Sequence, residues 1–214
     1  MTKNSIFGAA HDPVIMIPGM TANASAMNKM ENSLKNEGWP SSMLFRWTDS
    51  SKMTQDLANA AMELGAKVDQ VLLQTGATKV VLSTWSASTL AARYYIKNLG
   101  GESKVSQYIA LSGPQHGTSN NDCQEIVSCQ QFGNAESAFL TALNAATEVP
   151  GSPSVRYLTI RSVNDINVVP TDSAMLAGAH ENFLMDGPDA PSHYTIAADE
   201  KAIAKIISFI KENE

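Results

Sequence analysis

The amino-acid sequence predicts an α/β fold in which about six mainly parallel strands are covered by helices on both faces. Short apolar runs rich in branched side chains alternate with longer segments whose apolar residues recur every three to four positions. Such alternation is typical of strand–helix–strand units, whose crossovers make neighbouring strands parallel. The chain has 214 residues and no internal repeat or linker, so we expect one domain over residues 1–214.

The first half of the chain predicts three strands, each followed by a helix. The strands lie at VIMI (14–17), MLFRW (43–47) and an apolar run that begins at Val80. The first helix carries Met27, Met30 and Leu34 inward, and the second keeps a 3.6-residue period from Leu57 to Leu72. Glycines end the three helices, at Gly38, Gly76 and Gly100.

The second half predicts strands at 105–111, 155–160 and 180–185. A long loop runs from Ser112 to about Gly133 and is followed by a helix in AESAFLTALNAA. Asp199 is expected to cap a final amphipathic helix, KAIAKIISFI. This alternation completes the predicted sheet.

Composition excludes several classes of function. The formal net charge is −6 and no long basic run occurs, so nucleic acid is not an expected partner. Every apolar run is shorter than the ~20 residues of a membrane span, so we expect no transmembrane segment. Residues 1–12 lack the features of a signal peptide. The first strand ends in PGM, without the glycine-rich fingerprint of phosphate or dinucleotide sites, and we expect no cofactor.

A strand-to-helix junction at Thr84-Trp85-Ser86-Ala87-Ser88 is the candidate centre of the chemistry. A strand that turns into a helix this abruptly strains its turning residue and lifts that side chain above the sheet. The pattern predicts a nucleophile elbow, with Ser86 as the nucleophile of a serine hydrolase. Glycine is usual where Thr84 and Ser88 stand, and the simpler alternative is that Ser86 or Ser88 only caps the following helix.

Asp165 and His193 are the candidate partners of Ser86. They follow the fifth and sixth predicted strands, and reacting groups collect at the carboxyl ends of strands in an open parallel sheet. The chain order of serine, acid and histidine is that of the α/β-hydrolases. The imidazole would take the hydroxyl proton during attack, and the carboxylate would fix the tautomer of the ring. The rival candidates are Asp172, Asp186 and Asp189 for the acid and His11, His116 and His180 for the base.

An oxyanion formed by such an attack needs N–H donors. The backbone N–H of Ala87 begins a helix and is the first candidate; that of Met20, in the loop after the first strand, is the second. The hydroxyl of Thr21 is a further candidate donor, and His116 is a candidate for the pocket lining. Met20, Met27, Leu176 and Ile196 are candidates for an apolar wall against an acyl chain. Ordinary core packing is the alternative for each of them, and it is favoured for Met27.

The two cysteines, Cys123 and Cys129, lie six residues apart in DCQEIVSCQ. No second cysteine pair or nearby histidine cluster supports zinc, so we expect no metal. A disulfide would close a small ring and shape the loop locally, and free thiols are the alternative.

Together these residues resemble the small bacterial true lipases of the α/β-hydrolase superfamily, in particular the minimal Bacillus-type group. The similarity runs through PVIMIPGM at the first strand, RYYIKNL after the elbow, YLTIRSVNDINVVP at the acid and SHYT at the histidine. It implies a minimal α/β-hydrolase without a large lid. It also implies Ser86, Asp165 and His193 as a catalytic triad and Met20 and Ala87 as oxyanion donors.

Two local features resemble other lipases. The Thr84-Trp85-Ser86 elbow is similar to that of Candida antarctica lipase B. The segment LSGPQHGT and the cysteine loop resemble longer, secreted members of the same lipase group, which implies export and a Cys123–Cys129 disulfide.

The sequence therefore predicts a carboxylic-ester hydrolase, a lipase or esterase, that cleaves acylglycerols through an acyl-enzyme. A polyester depolymerase or general esterase with the same residues is one alternative. A non-catalytic binding protein with a hydrolase fold is another, because it would explain the missing glycines. We expect a monomer that binds an ester or lipid and is secreted or periplasmic, with the cytoplasm as the alternative location.

Overall fold

The structure, a computed structural model, describes residues 11–120 and 122–214. Within these residues one sheet of six strands forms the centre, and every neighbouring pair of strands is parallel. The strand order is β2-β1-β3-β4-β5-β6, and all residues of β3 are buried. The strands are β1 (Val14–Ile17), β2 (Leu44–Arg46), β3 (Val80–Trp85), β4 (Val105–Leu111), β5 (Arg156–Ser162) and β6 (Glu181–Met185).

Helices cover both faces of this sheet. One face packs α2 to α5 around Leu82 and Tyr108, and the opposite face packs α1 and α6 around Val81 and Ile109. Adjacent residues of a strand point to opposite faces, which is why Val81 and Leu82 belong to different cores. In the described part of the chain the α-helices are α1 (Asn28–Asn36), α2 (Leu57–Thr75), α3 (Ala87–Asn98), α4 (Val127–Phe132), α5 (Ala138–Asn144) and α6 (Glu200–Glu212).

Helix α2 shows how the sequence pattern becomes structure. Leu57, Leu64 and Val68 are fully buried against the sheet, as their period predicts. The helix ends at Gly76, whose φ of 73° is left-handed and whose N–H donates to the carbonyl of Leu72. Leu72 itself is only partly buried, because it lies at the edge of the apolar stripe.

The segment from Ser112 to Gly133 differs from the loop that the sequence predicts, because it contains the short helix α4. Only Ser128, Cys129 and Phe132 of this helix are buried, too few to give an apolar period that can be read from the sequence. Distant contacts hold it instead: the side-chain carbonyl of Gln131 accepts a hydrogen bond from Leu57 N–H at the start of α2.

The parallel strands bring four loops to one edge of the sheet. The loop of Met20 follows β1, Ser86 follows β3, Asp165 follows β5 and His193 follows β6. Residues that are far apart in sequence therefore share the rim where the strands have their carboxyl ends.

Among residues 11–120 and 122–214, no helix combines the length and the apolar character needed to cross a bilayer. Most of the stretch that lacks signal-peptide features, residues 1–10, lies outside the described residues.

Asp199→Ala is expected to lower the free energy of unfolding by about 1 kcal/mol. The Asp199 carboxylate accepts hydrogen bonds from the N–H groups of Lys201 and Ala202, both at 2.9 Å, and so caps α6. Chemical denaturation measures the change. Asp189→Ala is the matched control at an exposed position, with an expected change within about 0.5 kcal/mol. An equal loss in both variants would contradict the capping role.

Candidate active site

Ser86 occupies a sharp turn between β3 and α3. Its φ of 60° and ψ of −132° are rarely adopted by residues other than glycine, so the surrounding contacts must hold the turn in place. The N–H of Ser86 donates to the carbonyl of Leu111 at the end of β4, at 2.9 Å. The Ser86 side chain is partly exposed and makes no capping hydrogen bond to α3, so its hydroxyl remains available for other contacts.

The two residues that replace glycine at the turn are fully buried and hydrogen-bonded. The hydroxyl of Thr84 donates to the carbonyl of Ile109 at 2.7 Å. The hydroxyl of Ser88 accepts from Trp85 N–H at 3.0 Å and lies 3.1 Å from the carbonyl of Ile17. Each added side chain therefore ties the turn to a neighbouring strand.

His193 links Ser86 to Asp165. Its Nε2 lies 2.9 Å from the Ser86 hydroxyl, and its Nδ1 lies 2.9 Å from Asp165 Oδ2. An ionised carboxylate can only accept, so Nδ1 carries the proton and Nε2 is free to accept from the hydroxyl. The indole N–H of Trp85 donates to the carbonyl of His193 at 3.0 Å, which fixes the histidine backbone from the elbow side.

Asp165 is buried, and burial alone would raise the pKa of its carboxyl. The hydrogen bond and the charge of His193 oppose burial, as does a hydrogen bond from Val168 N–H, and the net effect holds the pKa of Asp165 below its ordinary value. Asp165 Oδ1 accepts from the N–H groups of Asn167 at 2.9 Å and Val168 at 3.0 Å. The carboxylate is therefore ionised and satisfied at both oxygens.

The loop after β1 lies against the elbow. A Cβ atom on Gly19 would lie 2.9 Å from the Cβ of Ser86, so only glycine permits this approach. Met20 follows directly, and Ala87 is the first residue of α3, where N–H groups lack an intrahelical acceptor. Thr21 has a φ of 64°, and its backbone N–H donates to the carbonyl of Lys52 at 2.8 Å.

Ser86 and His193 line an open cavity of about 430 Å³. Met20, Phe132 and Val168 give it apolar surface. Asn120, Asp122 and Asn167 give it polar surface. A mixed lining of this kind suits a ligand with one apolar part and a few polar groups.

The predicted disulfide is present, and it joins the cavity wall to the loop of Met20. Cys123 lines the cavity, whereas Cys129 is buried with its sulfur 3.6 Å from Met20 Sδ. The hydroxyl of Ser128 donates to the same Met20 sulfur at 3.4 Å.

Several residues considered from the sequence do not line this cavity. His116 lies elsewhere, with its Nε2 2.9 Å from a carboxylate oxygen of Glu148. Met27, Leu176 and Ile196 are fully buried in the two cores rather than forming a wall for an acyl chain.

The rival candidates for the acid and the base either pair with residues outside this site or lie away from the cavity. Asp172 pairs with Arg161 at 2.9 Å, and His11 pairs with Glu214 at 2.6 Å. His180 Nδ1 accepts from the N–H of Tyr157 at 3.0 Å. Asp186 and Asp189 are exposed and do not line the cavity.

Other contacts at the site were not predicted from the sequence. The indole of Trp85 and the backbone N–H groups of Asn167 and Val168 hold the histidine and the acid. Asn167 follows Asp165 by two residues, a spacing typical of an aspartate that accepts hydrogen bonds from its own turn, so this signal was available.

Three solved structures resemble this chain over nearly its whole length. Aspergillus fumigatus lipase B gives a TM-score of 0.79 at 18% identity and is matched over 98% of this chain and 55% of that chain. The product of the lin2722 gene of Listeria innocua gives 0.72 at 19% identity, covering 95% of each chain. The mature form of Bacillus licheniformis lipase BlEst2 gives 0.69 at 15% identity, covering 95% of this chain and 93% of that one.

These similarities confirm the predicted minimal α/β-hydrolase fold, with helices on both faces of the sheet and no large lid among the described residues. This chain spans about half the length of the Aspergillus protein.

A family model described as palmitoyl protein thioesterase matches residues 13–151. This range includes the Met20 loop and the Ser86 elbow and ends before Asp165 and His193. Since it comprises well over half of the 214 residues, the chain belongs to the palmitoyl protein thioesterase family.

Proposed function

We propose that this chain is a carboxylic-ester hydrolase that cleaves acylglycerols and related esters. Ser86 is the nucleophile, His193 the general base and acid, and Asp165 the carboxylate that orients the imidazole. The observation that carries the proposal is the pair of 2.9 Å contacts that joins hydroxyl, imidazole and carboxylate beside an open cavity. The family match and the α/β-hydrolase fold agree with ester-bond cleavage.

The reaction proceeds in two halves. His193 Nε2 takes the proton of Ser86 as the hydroxyl oxygen attacks the ester carbonyl, and the resulting imidazolium is stabilised by Asp165. Collapse of the tetrahedral intermediate breaks the bond to the alcohol, which leaves with the proton from Nε2. Water then attacks the acyl-enzyme with the same histidine as base, and the acid product is released.

The backbone N–H groups of Met20 and Ala87 stabilise the oxyanion in this proposal. The close approach of Gly19 to Ser86 and the position of Ala87 at the start of α3 support this assignment. Loss of one such donor typically lowers the rate about 10²- to 10³-fold. Thr21 lines the same cavity, and its hydroxyl is the candidate third donor.

The contacts of the elbow bear on one of the alternatives, a non-catalytic binding protein, and leave the other, a polyester depolymerase or general esterase, open. The hydrogen bonds of Thr84 and Ser88 argue against a non-catalytic binding protein, since the missing glycines were the reason to consider one. A polyester depolymerase or general esterase would use the same residues and differ only in the shape of the cavity.

Thioester cleavage is the second candidate function, and the family match favours it. The same hydroxyl would attack a thioester carbonyl. A thiol leaving group has a pKa near 8.5, far below that of an alcohol, so it departs with less help from His193.

The proposal also includes domain organisation, oligomeric state and location. We assign residues 1–214 to one α/β-hydrolase domain that acts as a monomer and resembles the Bacillus-type lipases. The disulfide supports a secreted or periplasmic location, because such bonds persist in oxidising compartments.

Ser86→Ala is expected to lower the rate of ester hydrolysis by at least about 10³-fold, because it removes the hydroxyl that lies 2.9 Å from His193 Nε2 and forms the acyl-enzyme. Initial rates on a p-nitrophenyl ester measure the loss. An organophosphonate should label the parent chain at position 86, mapped by peptide mass spectrometry, and leave the variant unlabelled. Equal residual hydrolysis in Ser86→Ala would rule out the proposal.

Acid should remove the stabilising effect of Asp165. A carboxyl whose folded-state pKa is depressed stabilises the fold above its unfolded pKa of about 3.9 and ceases to do so as the pH falls through the folded value. The difference in free energy of unfolding between the parent and Asp165→Asn should therefore shrink between pH 5 and about pH 2. Urea denaturation across this range gives the difference. A difference that stays constant would show that the pKa is not depressed.

Substrate profiling should separate the ester classes. Matched oxyesters and thioesters with the same acyl chains, soluble and emulsified, are compared by kcat/KM. Because Ser86 is partly exposed in an open cavity, the rate should rise smoothly through the concentration at which the substrate aggregates. A sharp rise at that point would contradict access without a lid, and a consistent preference for thioesters would favour the second candidate.

A further inference from the structure

Thr118 joins two loops at the rim of the sheet. It lies after β4, it is 7% exposed, and its side chain borders the cavity. Its hydroxyl donates to the carbonyl of Asn167 at 2.7 Å and accepts from the N–H groups of Val169 at 3.0 Å and Asn120 at 3.1 Å. A single side chain thus contacts both the loop after β4 and the loop that carries Asp165.

The hydrogen bond from Thr118 to Asn167 acts on a peptide unit that binds the Asp165 carboxylate. The carbonyl of Asn167 and the N–H of Val168 belong to one planar peptide unit. The carbonyl end accepts from Thr118, and the N–H end donates to Asp165 Oδ1 at 3.0 Å. The hydroxyl therefore fixes the plane of this peptide and polarises it toward the carboxylate, as successive hydrogen bonds in a chain do.

Two neighbouring contacts keep the loops in register around Thr118. The N–H of Ser119 donates to the carbonyl of Val169 at 2.8 Å, and the side-chain amide of Asn120 donates to the carbonyl of Ile166 at 3.1 Å. The Asn120 contact supports the Ile166–Asn167 peptide, whose N–H donates to Asp165 Oδ1 at 2.9 Å. The Thr118 hydroxyl supports the other peptide that binds this carboxylate oxygen, Asn167–Val168, so the two side chains act on different N–H donors.

We propose that Thr118 is a positioning residue that acts through Asp165 by holding the Asn167–Val168 peptide against the carboxylate. The proposal rests on the proposed function, in which Asp165 orients His193. Without the hydroxyl, the Asn167 carbonyl loses this hydrogen bond, one support of the carboxylate weakens, and the imidazole is held less well for proton transfer.

Thr118→Val is the direct test, because valine has nearly the shape of threonine and lacks the hydroxyl. We expect kcat on p-nitrophenyl butyrate to fall about 10- to 100-fold with KM within about twofold, since small displacements of catalytic groups have effects of this size. Thr118→Ser keeps the hydroxyl and should stay within about threefold of the parent. Ser119→Ala is the matched control. The Ser119 side chain is exposed, and its hydroxyl makes no hydrogen bond among the described residues.

The same substitution in an Asp165→Asn background separates positioning from general loosening of the fold. If Thr118 acts through Asp165, Thr118→Val should change kcat less than about threefold once the carboxylate is gone. A loss of kcat of equal size in both backgrounds would overturn the proposal, as would a loss in Thr118→Ser equal to that in Thr118→Val.

If Asp165→Asn lowers kcat about 10⁴-fold, the proposed function stands whichever way Thr118 behaves. Unchanged hydrolysis in Asp165→Asn would overturn both the proposed function and the positioning role of Thr118. Thermal unfolding of each variant confirms that it is folded at the assay temperature.

Discussion

The structure depends on one constraint, the left-handed backbone of Ser86 at the junction of β3 and α3. A non-glycine residue in this conformation is strained, and the strain persists only where the surroundings leave no alternative. Here the surroundings are β4 and the loop after β1: the carbonyl of Leu111 accepts from the Ser86 N–H, and Gly19 lies against the Ser86 Cβ. Thr84 and Ser88 add hydrogen bonds where glycine would give none. Contacts with neighbouring segments therefore hold the elbow in this conformation, and it does not depend on glycines with a more flexible backbone.

Hydrogen bonds link the Ser86 hydroxyl, the His193 imidazole, the Asp165 carboxylate and the backbone N–H groups beside it in turn. Burial of Asp165 would favour its neutral form, and the imidazole and two N–H groups offset that effect. A carboxylate held in this way keeps a fixed orientation. The histidine is constrained from both sides, by Asp165 through its ring and by Trp85 through its carbonyl.

The sequence was sufficient to predict the sheet and the meeting of Ser86, Asp165 and His193, because each residue follows a recognisable strand and parallel strands share an edge. The lining of the cavity was predicted less well: Met27, Leu176 and Ile196 lie in the cores, and their apolar character alone did not distinguish a core from a pocket. The hydrogen bonds of Thr118 and Ser88 could not be predicted from the sequence for another reason. Their partners lie 49 and 71 residues away, at Asn167 and Ile17, and no local pattern marks such pairs.

Two described parts of the segment after β4, residues 112–120 and 122–132, are fastened to different loops of the site. Thr118 ties the first part to the loop of Asp165, and Cys129 with Ser128 ties the second to Met20. An insertion or deletion between these points would displace the acid and the Met20 loop together. Exchange of a side chain that lines the cavity, such as Asp122, would instead alter the lining while the length of this segment stays the same.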